Sequence, residues 1–261
     1  MRVSSPIARG GTSSSKRVFN LGVESILMLL DDMIDELKFS LKGKKVINAC
    51  VGVSYTSVLL SDNSMGISHT IIDGENSLSG EILGQDLEYL TENLKSNSLE
   101  RGITVAILNA VSNMENYETG DPLDLLEGNK LCLFGFSPTI ETTKFSSVII
   151  YDFSNPSPQT MGKVIVKPFS SLVNEVCNTA VIFGSALVLG HTEKILKSVS
   201  ADHLILSGIS SVYAPSTLRS YGFEYVGKVV PLDKIRAFRI ICEGGVGRQL
   251  SKYIGKIYKK L

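Results

Sequence analysis

A strand, loop and helix unit occurs twice within Val181–Tyr213, and this repeat constrains the fold more than any other stretch. The apolar run Val181–Phe183 leads into Gly184-Ser185-Ala186 and a helical segment, after which the apolar run Leu204–Leu206 leads into Gly208-Ile209-Ser210-Ser211. Short apolar runs separated by a helix predict neighbouring strands of a parallel sheet that is buried on both faces. Because such sheets bind ligands beyond the carboxyl ends of their strands, we predict a binding site at these two loops.

The repeat belongs to a longer alternation of strands and helices over residues 130–261, which predicts a doubly wound, Rossmann-like domain. A short helix is predicted over Ser137–Lys144, because serine and proline favour the N-cap and the first position of a helix. The other predicted strands are Lys130–Gly135, Val148–Tyr151, Val164–Val166, Phe223–Val229 and Phe238–Cys242, and the other predicted helices lie near Phe169–Cys177 and at His191–Val199 and Gly247–Leu261.

Residues 20–115 predict a smaller α+β domain, so the predicted fold class is α/β with two domains. Apolar residues at helical spacing predict a first helix, and an antiparallel meander of three strands follows it. Residues 116–129 contain glycine, proline and acidic residues without periodicity and are interpreted as a linker. Residues 1–19 are interpreted as a disordered leader. The predicted elements are the helix Val23–Leu37, the strands Lys45–Val53, Thr56–Ser61 and Gly66–Ile71, and the helices Gln85–Leu94 and Leu99–Met114.

Composition bears on partners and on location. Acidic and basic residues number 26 each, so no overall charge favours nucleic acid, and no apolar stretch is long enough to span a membrane. Cys50, Cys132, Cys177 and Cys242 lie far apart within apolar runs, which favours reduced core thiols and a cytoplasmic protein. The sequence leaves open whether the chain forms a homo-oligomer.

Positions at the predicted strand ends are the candidate ligand contacts. Backbone N–H groups of Gly135-Phe136-Ser137 and of Glu243-Gly244-Gly245 are predicted to meet an anion or a small ligand, the second set between a strand and a helix. Asp152 follows a strand, where a ribose-binding acid or a simple turn residue is expected. No Gly-x-Gly-x-x-Gly motif is present, so a dinucleotide is not predicted.

The histidines His69, His191 and His203 do not have the spacing of a zinc site. His191 begins a predicted helix beside the crevice and is the candidate ligand for a divalent or heavy metal ion. His69 is interpreted as a surface or hydrogen-bonded strand residue, and His203 lies at the amino end of its strand, away from the predicted site. Asn109 interrupts an apolar helix stripe, so its amide either caps backbone or points into the seam between the domains.

Several motifs occur in an order that resembles a known family. They are VGVSYTSVLLSDNSMGISHT and VAILNAVSN in the first domain, and CLFGFSP, FGSALVLGHTEKIL, SGISSVYAPSTLRSYGFEYVGKV and ICEGGVG in the second. Over residues 20–261 the chain resembles the prokaryotic family named for heavy-metal chelation. The resemblance implies an amino-terminal domain similar to that of enolase, a Rossmann-like second domain, and a ligand site at their seam for a metal or a metal-chelating compound.

Three hypotheses follow for the function. The first is that the crevice binds a small polar ligand or a metal chelate through the backbone of Gly135–Ser137, Gly184–Ala186, Gly208–Ser210 and Gly244–Gly245. The alternative is a group-transfer enzyme that uses a nucleotide-type or S-adenosylmethionine-type ligand in the same crevice, and the third is a scaffold. No serine nucleophile is predicted, because Gly184-Ser185-Ala186-Leu187 does not match the Gly-x-Ser-x-Gly motif.

Overall fold

The computed structural model describes residues 28–135, 144–154 and 156–261. The predicted leader, the start of the predicted first helix and the helix predicted from Ser137 lie outside the described residues. Within these ranges a three-stranded and a nine-stranded sheet share an apolar core with helices from both halves of the chain. The mixed α/β fold predicted from the sequence is confirmed.

The amino-terminal half contains the predicted antiparallel meander with helices packed against it. A turn joins the second and third strands, where the Asp62 carboxylate accepts the Ser64 N–H at 2.9 Å and Asn63 adopts a φ of 64°. Both features are typical of Asp and Asn in tight turns. The elements are α1 (Met28–Leu41), β1 (Val46–Val51), β2 (Tyr55–Leu60), β3 (Met65–His69), α2 (Leu87–Asn93) and α3 (Ser98–Val111).

Helix α3 lies between the small sheet and the second half of the chain. A Cβ atom at Gly66 of β3 would lie 1.9 Å from the Ala106 carbonyl oxygen, so glycine permits the close approach of helix and strand. On its other side, the Arg101 Nε donates to the Val188 carbonyl oxygen at 2.7 Å. This helix therefore joins the two halves through both apolar packing and hydrogen bonds.

The large sheet has the order β4-β12-β11-β10-β9-β5-β6-β8-β7, in which the six strands from β11 to β8 are parallel and the flanking strands are antiparallel. Strand order reverses between β5 and β9. The strands β6, β7 and β8 that follow β5 lie on one side of it, whereas the strands β10, β11 and β12 that follow β9 lie on the other side. Its strands are β4 (Glu118–Thr119), β5 (Gly128–Phe134), β6 (Phe145–Asp152), β7 (Gln159–Met161), β8 (Val164–Pro168), β9 (Glu175–Phe183), β10 (Val199–Ser207), β11 (Tyr225–Pro231) and β12 (Ile254–Lys260), and its helices are α4 (Ser185–Leu189), α5 (Thr192–Ser198), α6 (Pro215–Ser220), α7 (Lys234–Cys242) and α8 (Gly247–Leu250).

Two predictions near the carboxyl end are wrong. The predicted strand Phe238–Cys242 is the second half of helix α7, which begins where the Asp233 carboxylate accepts the Arg236 N–H at 3.0 Å. Ala237 and Ile241, one helical turn apart, are buried together. The predicted helix Gly247–Leu261 is instead the single turn α8 followed by β12, because pairing with β11 gives the backbone partners at the sheet edge.

The helix predicted near Phe169–Cys177 is also wrong. A 3-10 turn covers Phe169–Ser171, and β9 already begins at Glu175. Asn174 between them has a φ of 45°, a left-handed conformation that a right-handed helix does not contain. The apolar residues that suggested a helix here therefore lie in a turn and in a strand.

The cysteines are paired, which corrects the prediction of reduced thiols. Cys132 and Cys177 form a buried disulfide between the adjacent strands β5 and β9, with their Cα atoms 6.0 Å apart. Cys50 of β1 and Cys242 at the end of α7 form a second disulfide, with Cα atoms 5.6 Å apart and 192 residues between them in sequence. The cytoplasmic location predicted from reduced cysteines loses this support. Among the described residues, no helix is both long enough and apolar enough to cross a membrane.

Candidate functional site

The loop Gly208-Ile209-Ser210-Ser211 is one of the places at which the two halves of the chain meet. It follows β10 at the carboxyl edge of the parallel strands, and Gly208 begins it with a φ of 110°. A Cβ atom at Gly184, directly after β9, would lie 2.2 Å from the Ser210 carbonyl carbon. The two loops singled out from the sequence repeat are therefore packed against each other, next to the point where strand order reverses.

His69 reaches this loop from the end of β3. Its backbone N–H donates to the Ser210 Oγ at 2.8 Å, and its ring Nδ1 lies 2.9 Å from the same oxygen. Its ring also contacts that of Tyr55, with centroids 5.4 Å apart. Burial lowers the pKa of His69 to about 4, so its imidazole is neutral near pH 7. We did not single out His69 as a site residue from the sequence, because the seam partner Ser210 lies 141 residues away.

The contact with Ser210 leaves His69 two possible tautomers. If the Ser210 hydroxyl donates to Nδ1, then Nε2 carries the proton and is a hydrogen-bond donor. If Nδ1 donates to the Ser210 Oγ, then Nε2 has a free lone pair and is suited to bind a metal ion. In both cases Ser210 holds the ring in one orientation.

Asn109 of α3 spans the same seam. Its Nδ2 donates to the Ile67 carbonyl oxygen at 3.0 Å and to the Ile209 carbonyl oxygen at 3.2 Å. Asn109 is 9% exposed, and its Oδ1 and the buried Ser211 Oγ have no hydrogen-bond partner within the described residues. The Asn109 nitrogen thus joins β3 to the loop after β10, while the Asn109 and Ser211 side-chain oxygens have no partner in the described part of the chain.

Lys228 of β11 is a buried lysine whose side chain contacts the end of α3 next to this seam. Its Nζ donates to the Ser112 carbonyl at 2.7 Å, to the Ser112 Oγ at 2.8 Å and to the Asn109 carbonyl at 3.3 Å. Burial lowers the pKa of Lys228 to about 7. We did not identify Lys228 from the sequence; the available signal is a lone lysine within the otherwise apolar strand Tyr225–Pro231.

His191, the candidate metal ligand, lies in an aromatic cluster. Its ring stacks on Phe169 with centroids 4.4 Å apart and meets the edge of Phe153 at 5.3 Å. Burial, and then the nearby cations Lys194 and Arg101, lower the pKa of His191. The neutral ring is therefore packed between phenylalanines, and the metal role predicted for it is still a prediction.

The other predicted contacts near the carboxyl ends are engaged locally. The Gly135 N–H donates to the Tyr151 carbonyl at 3.0 Å, and the Gly184 N–H donates to the Ser207 carbonyl at 2.9 Å. The Asp152 carboxylate accepts from the Ser154 N–H and hydroxyl, each at 2.8 Å, as a turn residue does. Ser185 and Ala186 form the first turn of α4. Phe136 and Ser137 lie outside the described residues.

The segment Glu243-Gly244-Gly245 follows helix α7 and does not connect a strand to a helix as predicted. Its three N–H groups donate to the carbonyl oxygens of Arg239, Ile241 and Ile240, at 2.8, 3.2 and 2.7 Å. Gly244 has a φ of 78°, as expected for a residue that ends a helix. These N–H groups are thus used to cap α7, and an anion would have to compete with the helix for them.

The side chains able to bind a metal ion were considered together. No group of three or more His, Cys, Asp or Glu side chains able to hold a metal ion occurs among residues 28–135, 144–154 and 156–261. All four cysteines are oxidised in disulfides. The seam therefore offers a neutral imidazole, an amide and hydroxyl groups, a set that suits a polar ligand or an ion that brings other ligands with it.

The fold is of the mixed α/β class, and the two halves of the chain form a polar junction at the carboxyl edge of the parallel strands. The chain belongs to the family described as "Putative heavy-metal chelation". One family model of that description matches residues 34–112 and a second matches residues 120–260. The family resemblance drawn from the motifs is thereby confirmed, whereas the similarity to enolase stays a prediction.

Two solved structures have the same fold. One is a DUF364-family protein of unknown function from Pyrococcus horikoshii, with a TM-score of 0.70 and 16% identity over 90% of this chain and 99% of that one. The other is a DUF364-family protein of unknown function from Desulfitobacterium hafniense, with a TM-score of 0.72 and 19% identity over 90% of this chain and 98% of that one. At these identities the likeness shows the fold alone. None of the curated proteins matches the chain.

Proposed function

We propose that this protein binds a small polar ligand or a metal chelate in the crevice between its two domains. One observation carries the proposal, namely that Asn109 Oδ1 and Ser211 Oγ are buried beside the same loop without a hydrogen-bond partner in the described part of the chain. A buried polar atom without a partner costs about 1–3 kcal/mol. A ligand that supplies the missing hydrogen bonds recovers that free energy.

The position of these atoms in the fold supports the same proposal. In open α/β sheets, ligands bind outside the carboxyl ends of the strands where strand order reverses. Here the reversal lies between β5 and β9, and the loop after β9 packs against the loop that carries Ser210 and Ser211. His69 and Asn109 cover this edge from the amino-terminal domain.

The donor set favours a chelate over a bare ion. His69 is one neutral nitrogen ligand, held in orientation by Ser210, and a stable site for a divalent ion needs about four ligands or more. An ion that is already coordinated by a small organic chelator needs only one further ligand from the protein. The polar groups of the chelator are then available to Asn109 and Ser211.

Thermal unfolding of the full chain tests the proposal. The probes are Zn²⁺, Co²⁺ and Ni²⁺, each alone and as its complex with free histidine or citrate, together with S-adenosylmethionine and ATP. A probe at 100 times its dissociation constant adds about 2.7 kcal/mol to the free energy of unfolding. We expect a rise in Tm with a chelate, lost in His69→Gln and kept in His203→Gln, whose imidazole is paired with Glu224 away from the seam. A response to S-adenosylmethionine or ATP alone would support the group-transfer alternative and contradict the binding of a metal chelate.

Ser211→Ala separates ligand binding from folding. The Ser211 hydroxyl is buried without a partner in the described residues, so its removal should leave the Tm of the ligand-free protein unchanged or slightly raised. The Tm shift produced by the chelate should become smaller, because the ligand loses a hydrogen bond. A fall in the Tm of the ligand-free variant with an unchanged ligand shift would show that the hydroxyl is structural.

A further inference from the structure

The disulfide between Cys50 and Cys242 differs from the other disulfide in its surroundings. Cys242 is exposed and Cys50 is half-buried, whereas Cys132 and Cys177 are 0% and 4% exposed. Exchange of a disulfide with a thiol requires access to one of its sulfur atoms. We therefore expect a soluble reductant to reach the Cys50–Cys242 pair in the folded protein, and the buried Cys132–Cys177 pair serves as the control.

The two cysteines are held together by contacts other than their own bond. A Cβ atom at Gly52 would lie 2.1 Å from the Ile241 carbonyl oxygen, so the turn after β1 packs directly on the end of α7. Ile241 is buried in an apolar cluster with Met65 and Ile67 of β3, and Cys50 packs against this cluster. After reduction, the two thiols thus stay on facing backbone segments.

We propose that the reduced Cys50 and Cys242 thiols form a binding site for one soft, thiophilic metal ion at the surface between β1 and α7. In a two-coordinate complex with bonds of about 2.3 Å, the two sulfur atoms lie on opposite sides of the metal ion and about 4.6 Å apart, a separation that side chains on Cα atoms 5.6 Å apart can reach. Soft thiolate ligands select soft ions. No third His, Cys, Asp or Glu completes the group within the described ranges, so the site suits an ion that is satisfied by two ligands, such as Hg²⁺.

The chemistry has two balanced steps. A dithiol reductant transfers two electrons and two protons to the disulfide, which yields two cysteine thiols and the cyclic disulfide of the reductant. The metal ion then displaces the two thiol protons and forms two metal–sulfur bonds. Oxidation of the pair closes the site, so metal uptake depends on the redox state of the protein. This site is separate from the seam at Ser210 and does not require a ligand there.

The test uses the full chain, treated with dithiothreitol under native conditions and then freed of it. A chromogenic thiol reagent should detect two thiols, and elemental mass spectrometry after desalting should find one Hg²⁺ per chain that survives an excess of a monothiol. Untreated protein and the reduced Cys50→Ser/Cys242→Ser variant should retain none. Zn²⁺, which prefers four ligands, should be lost on desalting.

Three results would overturn the proposal. The first is the absence of thiols after treatment of the native protein. The second is free thiols that do not retain Hg²⁺ against the monothiol. The third is equal retention by the wild type and by the double serine variant. If the double variant fails to fold, Cys242→Ser alone provides the test, since a single thiolate should lose Hg²⁺ to the monothiol while the chelating pair keeps it.

Discussion

Replacing Lys228 by methionine should make the stability of this protein less dependent on pH. Lys228 is 4% exposed, and within the described residues its Nζ donates to carbonyl and hydroxyl oxygens of Ser112 and Asn109. Burial lowers its pKa to about 7 in the folded protein, whereas an unfolded lysine has a pKa of about 10.4. Between these values the unfolded chain binds a proton that the folded chain does not.

The sign and the size of the effect follow from this difference. Stability rises with pH wherever the unfolded state binds more protons, so Lys228 weakens the fold near pH 7 and ceases to do so near pH 10. A difference of about three pKa units corresponds to about 4 kcal/mol, of which about 3 kcal/mol falls between pH 7 and pH 10. The free energy of unfolding of the wild type minus that of Lys228→Met should increase by this amount over the range.

Urea unfolding at pH 7, 8, 9 and 10 measures the difference directly. Lys234→Met is the matched control, because the Lys234 Nζ donates to the Asn63 carbonyl at an exposed position. Its difference from the wild type should be independent of pH to within about 0.5 kcal/mol. A flat difference for Lys228→Met as well would show that the buried amine keeps its proton in the folded state, and the argument from burial would be refuted.

Two further predictions concern stability. Gly184→Ala should destabilise the fold by about 1–3 kcal/mol or more, because its Cβ atom would lie 2.2 Å from the Ser210 carbonyl carbon. Gly128→Ala is the control for thermal unfolding and should cost less, because the nearest atom to its Cβ would lie at 3.4 Å. Cys132→Ser/Cys177→Ser should lower the free energy of unfolding by about 2–4 kcal/mol, because a cross-link over 45 residues constrains the unfolded chain, and a loss below about 1 kcal/mol in urea unfolding would contradict this reasoning.

The sequence predicted those elements whose signals are local. The repeat around Val181–Tyr213 predicted strands β9 and β10 with α5 between them, and the Asp62-Asn63-Ser64 turn predicted the pairing of β2 with β3. In each case the turn residues and the apolar period indicate the same structure. The predicted strand Val181–Phe183 is shorter than β9, which begins at Glu175. The first half of β9 is extended because it pairs with β10, and its residues do not form an apolar run that would have predicted a strand.

The failures occurred where a distant partner decides the structure. In Gly247–Leu261, apolar residues recur at intervals of three and four, but β11 provides backbone partners for an extended strand, and pairing prevails over the helical period. The disulfide between Cys50 and Cys242 connects residues 192 positions apart. Their spacing in sequence carries no information about their distance in space. The same limit applies to His69, whose partner Ser210 lies 141 residues further along the chain.

The two proposed sites differ in donor chemistry and should therefore respond to different metals in the same molecule. A neutral imidazole such as that of His69 suits Ni²⁺, Cu²⁺ and Zn²⁺, whereas a pair of thiolates suits softer ions. Reduction should open the Cys50 and Cys242 pair and leave the contacts of His69 with Ser210 in place, because the pair lies elsewhere, between β1 and α7. The Ni²⁺–histidine complex should thus raise the Tm equally in oxidised and reduced protein, while Hg²⁺ should be retained only by the reduced form. A nickel response that depends on the redox state would show that the two sites are coupled through β2, which pairs with both β1 and β3 in the small sheet.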